Sequence, residues 1–158
     1  MPSISPLTRR SALILAAGTA AIAVAGSRAA EGQIITVHLD PNCGCCSGWV
    51  RHLQQAGFTV KAIETTDLDA VKTRLGVPVD LVACHTAQIG SYVLEGHVPA
   101  VALKRFLGEK PNAAGLAVPG MPVGSPGMEG GKPEKFDVVL FGPNGRLTYM
   151  SFVGDQST

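Results

Sequence analysis

Three cysteines crowd one short run, Cys43-Gly44-Cys45-Cys46, and a fourth stands apart at Cys84. The run follows an apolar stretch, Ile34 to Leu39, and precedes residues with helical spacing, Trp49, Val50 and Leu53. At a helix start, unpaired N–H groups and the helix dipole favour a thiolate over a thiol. A thiolate attacks disulfides and ligates soft metals. The run therefore reads as a redox site, a metal site, or both.

Cys43 and Cys46 have the C-x-x-C spacing. Residues three apart share a helix face, so the two sulfurs can meet. Cys43 is expected as the exposed, acidified thiol and Cys46 as its more buried partner; a static structural disulfide would use the same pair. Cys45 is what such a disulfide does not explain. Two positions from Cys43, it points to another side of the helix, which a dithiol switch does not need and a thiolate cluster for a metal does. Met121 and Met128 lie in a Gly/Pro-rich stretch with neither helical nor strand period, which makes them poor core candidates. Thiolates with thioethers select copper(I) over magnesium, calcium or manganese. Zinc also takes Cys and His, and the methionines tilt the set toward copper. His85, beside Cys84, is a candidate ligand; His97, before Val98-Pro99, either lines the site or caps the next helix. His38 and His52 read as surface or packing residues, and Asp40 as a turn residue.

The elements that must position these residues follow from the pattern. Ile34–Leu39 reads as a first strand, bounded by Asp40-Pro41-Asn42, and Ser47–Ala56 as a first helix closed by Gly57. Phe58–Ile63 reads as a second strand, and Asp67 or Asp69 caps a second helix through Leu75, closed by Gly76. Cys84–Ile89 and Tyr92–Glu95 form a hairpin across Gly90-Ser91. Pro99 opens a third helix, Ala100–Leu107. The order β-α-β-α-β-β-α is an α/β pattern of the thioredoxin-like type, with the Cys run after the first strand. A third strand starting at Cys84 runs antiparallel to the first, so Cys84 and His85 abut the Cys run. A start near Pro78 would instead send Cys84 about 20 Å away and cast Pro78 as a cis-proline. The turn chemistry favours the first register. Residues 110–132, rich in Pro and Gly, read as a loop without regular elements. Phe136–Phe141 and Leu147–Val153 make a C-terminal hairpin across Pro143-Asn144-Gly145.

The chain has 158 residues and a net charge of +1. Arg9, Arg10 and Arg28 lie before Ala30 and all 12 acids follow it, so the remainder carries ten bases against 12 acids. That balance, with 5% aromatics, gives no case for nucleic acid as a partner. Arg9-Arg10, an Ala-rich apolar run to Ala25 and small residues before Ala29 mark residues 1–29 as a cleaved export signal, similar to the twin-arginine type. The run is too short for a membrane span, so none is expected after cleavage. Residues 31–158 then form one domain in an oxidising compartment.

Four motifs carry a resemblance: Asn42-Cys43-Gly44-Cys45-Cys46, Ala83-Cys84-His85-Thr86-Ala87, Glu95-Gly96-His97-Val98-Pro99-Ala100, and the segment from Gly120 to Met128. Together they resemble the CopG-type copper-resistance proteins over roughly Ile34 to Val153. The resemblance implies a thioredoxin-like fold, a periplasmic location and copper bound by the Cys-x-Cys-Cys run with help from Cys and Met. It also implies copper redox conversion and exchange with other periplasmic copper-handling proteins. The expected ligands are Cys43, Cys45, Cys46, Cys84, His85, Met121 and Met128. Two readings of the chemistry stay open: copper binding with redox cycling, and thiol–disulfide exchange in which Cys43 attacks and Cys46 resolves.

Overall fold

The structure is a computed structural model, and it describes residues 33–158. The expected export signal lies outside the described residues. The chain runs β1 (Ile35–Leu39), α1 (Gly44–Gln55), β2 (Val60–Glu64), α2 (Leu68–Leu75), β3 (His85–Ile89), β4 (Tyr92–Glu95) and α3 (Ala100–Glu109). It continues through β5 (Gly115–Ala117), β6 (Lys135–Gly142), β7 (Gly145–Val153) and β8 (Gln156–Ser157). The strands make one mixed sheet in the order β2-β1-β3-β4-β5-β6-β7-β8. The fold is thus mixed α/β, with three helices and eight strands among the described residues.

Alternation sets the faces. Ile35, Val37 and Leu39 of β1 point inward, with Thr36 and His38 half-buried between them. Cys46, Trp49 and Leu53, spaced three and four apart, form the buried stripe of α1, and Ala102, Leu103, Phe106 and Leu107 that of α3. These residues share one core with Ala87, Ile89, Leu94 and Leu116. Val93 and Ala117, adjacent to Leu94 and Leu116 in sequence, face the other way. They join a second cluster with Leu81 and Phe141, beside Leu75 and Val77. Trp49, fully buried, donates its indole N–H to the Val98 carbonyl at 2.9 Å and so ties α1 to the start of α3.

Most boundaries match the sequence reading, including Asp67 as N-cap of α2 and Gly76 in the left-handed conformation at its end. The β3–β4 hairpin closes across Gly90-Ser91, pairing Ile89 with Tyr92. The departures are informative. Helix α1 starts at Gly44, three residues before Ser47, so the Cys run lies within its first turn. Pro99 is the N-cap of α3, in extended backbone, instead of its first helical residue. Strand β3 does not begin near Pro78: a short 3₁₀ turn covers Val79–Leu81, and no peptide bond among the described residues is cis. The stretch read as wholly irregular holds β5, inserted between β4 and β6. A Cβ at Gly115 would lie 1.8 Å from the Val93 carbonyl oxygen, so only glycine lets β5 pair this closely.

Candidate metal centre

Asp40 turns the chain between β1 and α1. Its carboxylate accepts the Asn42 N–H at 2.8 Å and its carbonyl accepts the Cys43 N–H at 3.0 Å. Cys43 then stands as N-cap of α1 without a side-chain cap bond, which leaves its sulfur for other partners. It forms a disulfide with Cys46, one turn on, their Cα atoms 5.4 Å apart. Cys46 is fully buried and Cys43 half-buried.

Cys45 and Cys84 are free and half-buried. Pairing of Leu39 with His85 sets the start of β3 beside the end of β1, and Cys84 immediately precedes it. Cys45 Sγ lies 3.4 Å from Cys43 Sγ and 3.8 Å from Cys84 Sγ. All four sulfurs fall within 4.8 Å of one another. Burial, and then the neighbouring Cys45, push the Cys84 thiol up to about 12. A metal ion at this sulfur must therefore displace a proton.

Two buried imidazoles complete the cluster. His97 Nδ1 is 2.7 Å from the Pro126 carbonyl, which can only accept, so Nδ1 carries the proton. Nε2 is then an acceptor and takes the Cys84 S–H at 2.9 Å. With that proton committed, His85 Nδ1, 3.3 Å from the same sulfur, is the donor to it. His85 Nε2 keeps a lone pair with no protein partner, although the ring is fully buried against Trp49 with centroids 4.4 Å apart. Burial, then His97 and Lys72, pull His85 down to about 3, so it is neutral at physiological pH. Burial likewise lowers His97, against the pull of Pro126 and Glu129. Cys84, His85 and His97 also offer donor atoms within 4.8 Å of one another. Two free thiols here, four once the Cys43–Cys46 bond is reduced, make a donor set that suits a soft cation.

The Met segment is fitted to this cluster by its backbone. A Cβ at Gly127 would lie 2.5 Å from the Cys45 carbonyl oxygen and 2.7 Å from Trp49 N, and one at Gly48 would lie 2.8 Å from Gly127 Cα. Ser125 and Pro126 are buried and seat the segment, whereas Met128 is half-buried and Met121 is 54% exposed. Gly120 bridges to Ala83, next to Cys84, and Met121 follows it in the chain. His52, read from sequence as a surface or packing residue, accepts the Ala100 N–H at 3.0 Å and so caps α3.

A second buried group escapes the sequence reading. Lys72 Nζ contacts Glu95 Oε1 at 2.6 Å and the Thr86 hydroxyl at 2.9 Å. Thr86 donates to Glu95 Oε2 at 2.6 Å, and the Ala83 N–H donates to Oε1 at 2.7 Å. Glu95 is fully buried and Lys72 nearly so. The carboxylate thereby fixes the backbone one residue before Cys84. The signal available in the sequence is a charged residue closing the apolar run Tyr92-Val93-Leu94, directly before Gly96-His97.

A family model described as "Protein of unknown function, DUF411" matches residues 81–128, the span from Leu81 through Cys84 and His97 to Met128. No curated protein matches. Two solved structures are similar, forms 2 and 1 of a copper resistance protein copG. The first is 43% identical with a TM-score of 0.72, covering 76% of this chain and 98% of that one. The second is 44% identical with a TM-score of 0.71, covering 77% and 98%. At that identity, over nearly the whole length of the solved protein, the chain belongs to the CopG copper-resistance family.

Proposed function

We propose that this protein is an exported, periplasmic copper-binding protein of copper resistance, built on a thioredoxin-like core over residues 31–158 after loss of a signal over residues 1–29. The observation that carries the reading is the convergence of four sulfurs from α1 and the start of β3 within 4.8 Å. With the Cys43–Cys46 bond reduced, Cys43, Cys45, Cys46 and Cys84 hold copper(I) as thiolates. His85 adds a nitrogen at the Cys84 edge, where its Nδ1 lies 3.3 Å from the sulfur, and Met121 and Met128 close the site from the loop. Closing the reduced Cys43–Cys46 pair releases two electrons and two protons and takes two copper(II) ions to copper(I); the reverse step reopens the disulfide. The test is titration of the reduced protein with copper(I) and zinc against competing chelators. Copper(I) should bind more tightly at equal supply, because thiolate and thioether donors are soft. Zinc displacing copper from the reduced protein refutes the assignment.

A second reading has its own observation, the closed Cys43–Cys46 disulfide with a half-buried leading cysteine. A thiol–disulfide oxidoreductase would use Cys43 to attack and Cys46 to resolve. Robust insulin reduction at submicromolar copper would favour it over copper handling.

A further inference from the structure

The Cys43–Cys46 bond leaves two free thiols, and these two face each other. Cys45 Sγ and Cys84 Sγ lie 3.8 Å apart, from elements 39 residues apart in sequence. To bond they must approach to about 2 Å, a shift of under about 1 Å at each sulfur. The Cys84 sulfur is already oriented by a second contact. His97 Nε2 receives the Cys84 S–H at 2.9 Å, and the Pro126 carbonyl fixes the tautomer through Nδ1 at 2.7 Å. The hydrogen bonds hold the Cys84 sulfur on the side of the cluster that faces Cys45. Cys45 sits on the first turn of α1 and is half-buried, with an open route for its own proton.

We infer that Cys45 and Cys84 form a second redox couple, closing into a disulfide by delivering two electrons to two copper(II) ions. The inference rests on the copper reading only for the identity of the oxidant. The step balances: two thiols and two copper(II) ions give one disulfide, two copper(I) ions and two protons. Copper(II) at the sulfur displaces the Cys84 proton, and both thiol protons leave to solvent. With both bonds closed no thiolate remains, so the event that makes copper(I) also removes its sulfur ligands. The centre then stores four electrons and couples its oxidation state to metal release.

The experiment starts from the full mature chain with Cys43–Cys46 closed, under nitrogen. Copper(II) is added at two equivalents with bicinchoninate to report copper(I). The expected result is two equivalents of copper(I), loss of two hydrogens in the intact mass, and no alkylation at Cys45 or Cys84. A non-reducing peptide map should join the segment holding Cys45 to that holding Cys84. In Cys84→Ser, Cys45 should stay alkylatable and copper(I) should fall to background. Two alkylatable thiols after copper(II), or a map in which Cys45 is joined to Cys43 by exchange, overturns the inference. A parallel arm replaces copper(II) with diamide. Closure by diamide but not by copper(II) overturns copper as the oxidant, while copper(I) binding by the reduced protein is judged separately by its titration against zinc. Closure by neither refutes the second couple itself.

Discussion

Removing one partner of the buried ion pair should be costly in a way that depends on pH. In Lys72→Met, Glu95 loses its contact at 2.6 Å and keeps the Thr86 hydroxyl and Ala83 N–H bonds. An uncompensated buried charge costs about 3–5 kcal/mol. The carboxyl has one escape, which is to take a proton. Burial already raises Glu95 above the ordinary glutamate range, and the Lys72 contact opposes that rise. Without Lys72 the folded value rises further, while the unfolded value stays near about 4.3. A group whose folded value is raised contributes full stability below its unfolded value. That stability is lost as pH climbs through the folded value. Lys72→Met should therefore lie closest to wild type near about pH 4 and show its full deficit, about 3–5 kcal/mol, near neutrality. Urea unfolding at both pH values measures the difference. Lys72→Met/Glu95→Gln should recover much of the loss at neutral pH, because the amide carries no charge, its oxygen can accept from Ala83 and its NH2 can donate to the Thr86 hydroxyl. A Lys72→Met deficit under about 1 kcal/mol at both pH values, the size expected of an exposed pair, would refute the buried-pair argument.

Gly127→Ala should destabilise the protein by at least about 1–3 kcal/mol, since φ is +90° and the new Cβ would meet Cys45 O at 2.5 Å and Trp49 N at 2.7 Å. Thermal unfolding checks the cost, and copper(I) affinity should fall with it as Pro126 shifts from His97. Met121→Leu/Met128→Leu conserves volume and apolarity, so unfolding of the metal-free protein should change by under about 1.5 kcal/mol while copper(I) binding weakens. Unaltered affinity with a large drop in melting temperature would make the segment a packing element only.

The parts of the site that lie close in sequence, or follow from turn chemistry, are legible without the structure. Cys43 and Cys46 are one helical turn apart, and Gly90-Ser91 fixes the hairpin whose register brings His85 beside Leu39. His97 is harder. Its place depends on Cys84, thirteen residues back, and on a carbonyl at Pro126, twenty-nine residues on, and no periodicity encodes either contact. Sequence pattern places the start of α1 late because Gly44 and the cysteines are weak helix formers, and tertiary packing of Cys46 overrides that weakness. β5 is hidden because Gly115 reads as a breaker. In the folded sheet the same glycine is the condition for pairing, since any side chain would strike the Val93 carbonyl.

The buried Lys72–Glu95 pair shows why such residues resist sequence reading while bearing on function. Lysine on a helix and glutamate at a strand end are usually solvated. Here burying both charges is a doubtful gain in stability by itself, because desolvation offsets attraction. What the pair does supply is geometry: Glu95 grips the Ala83 N–H and the Thr86 hydroxyl, on either side of Cys84 and His85. His85 is thereby held by strand pairing with β1, and Cys84, just before it, lies between that paired residue and the anchored Ala83. A sulfur that must meet Cys45 at one distance and His97 at another benefits from a rigid backbone more than from a stable one. The neutral-pH behaviour of Lys72→Met/Glu95→Gln separates the two contributions. Stability should largely return, and any copper(I) affinity still missing measures the positioning that the ion pair provides.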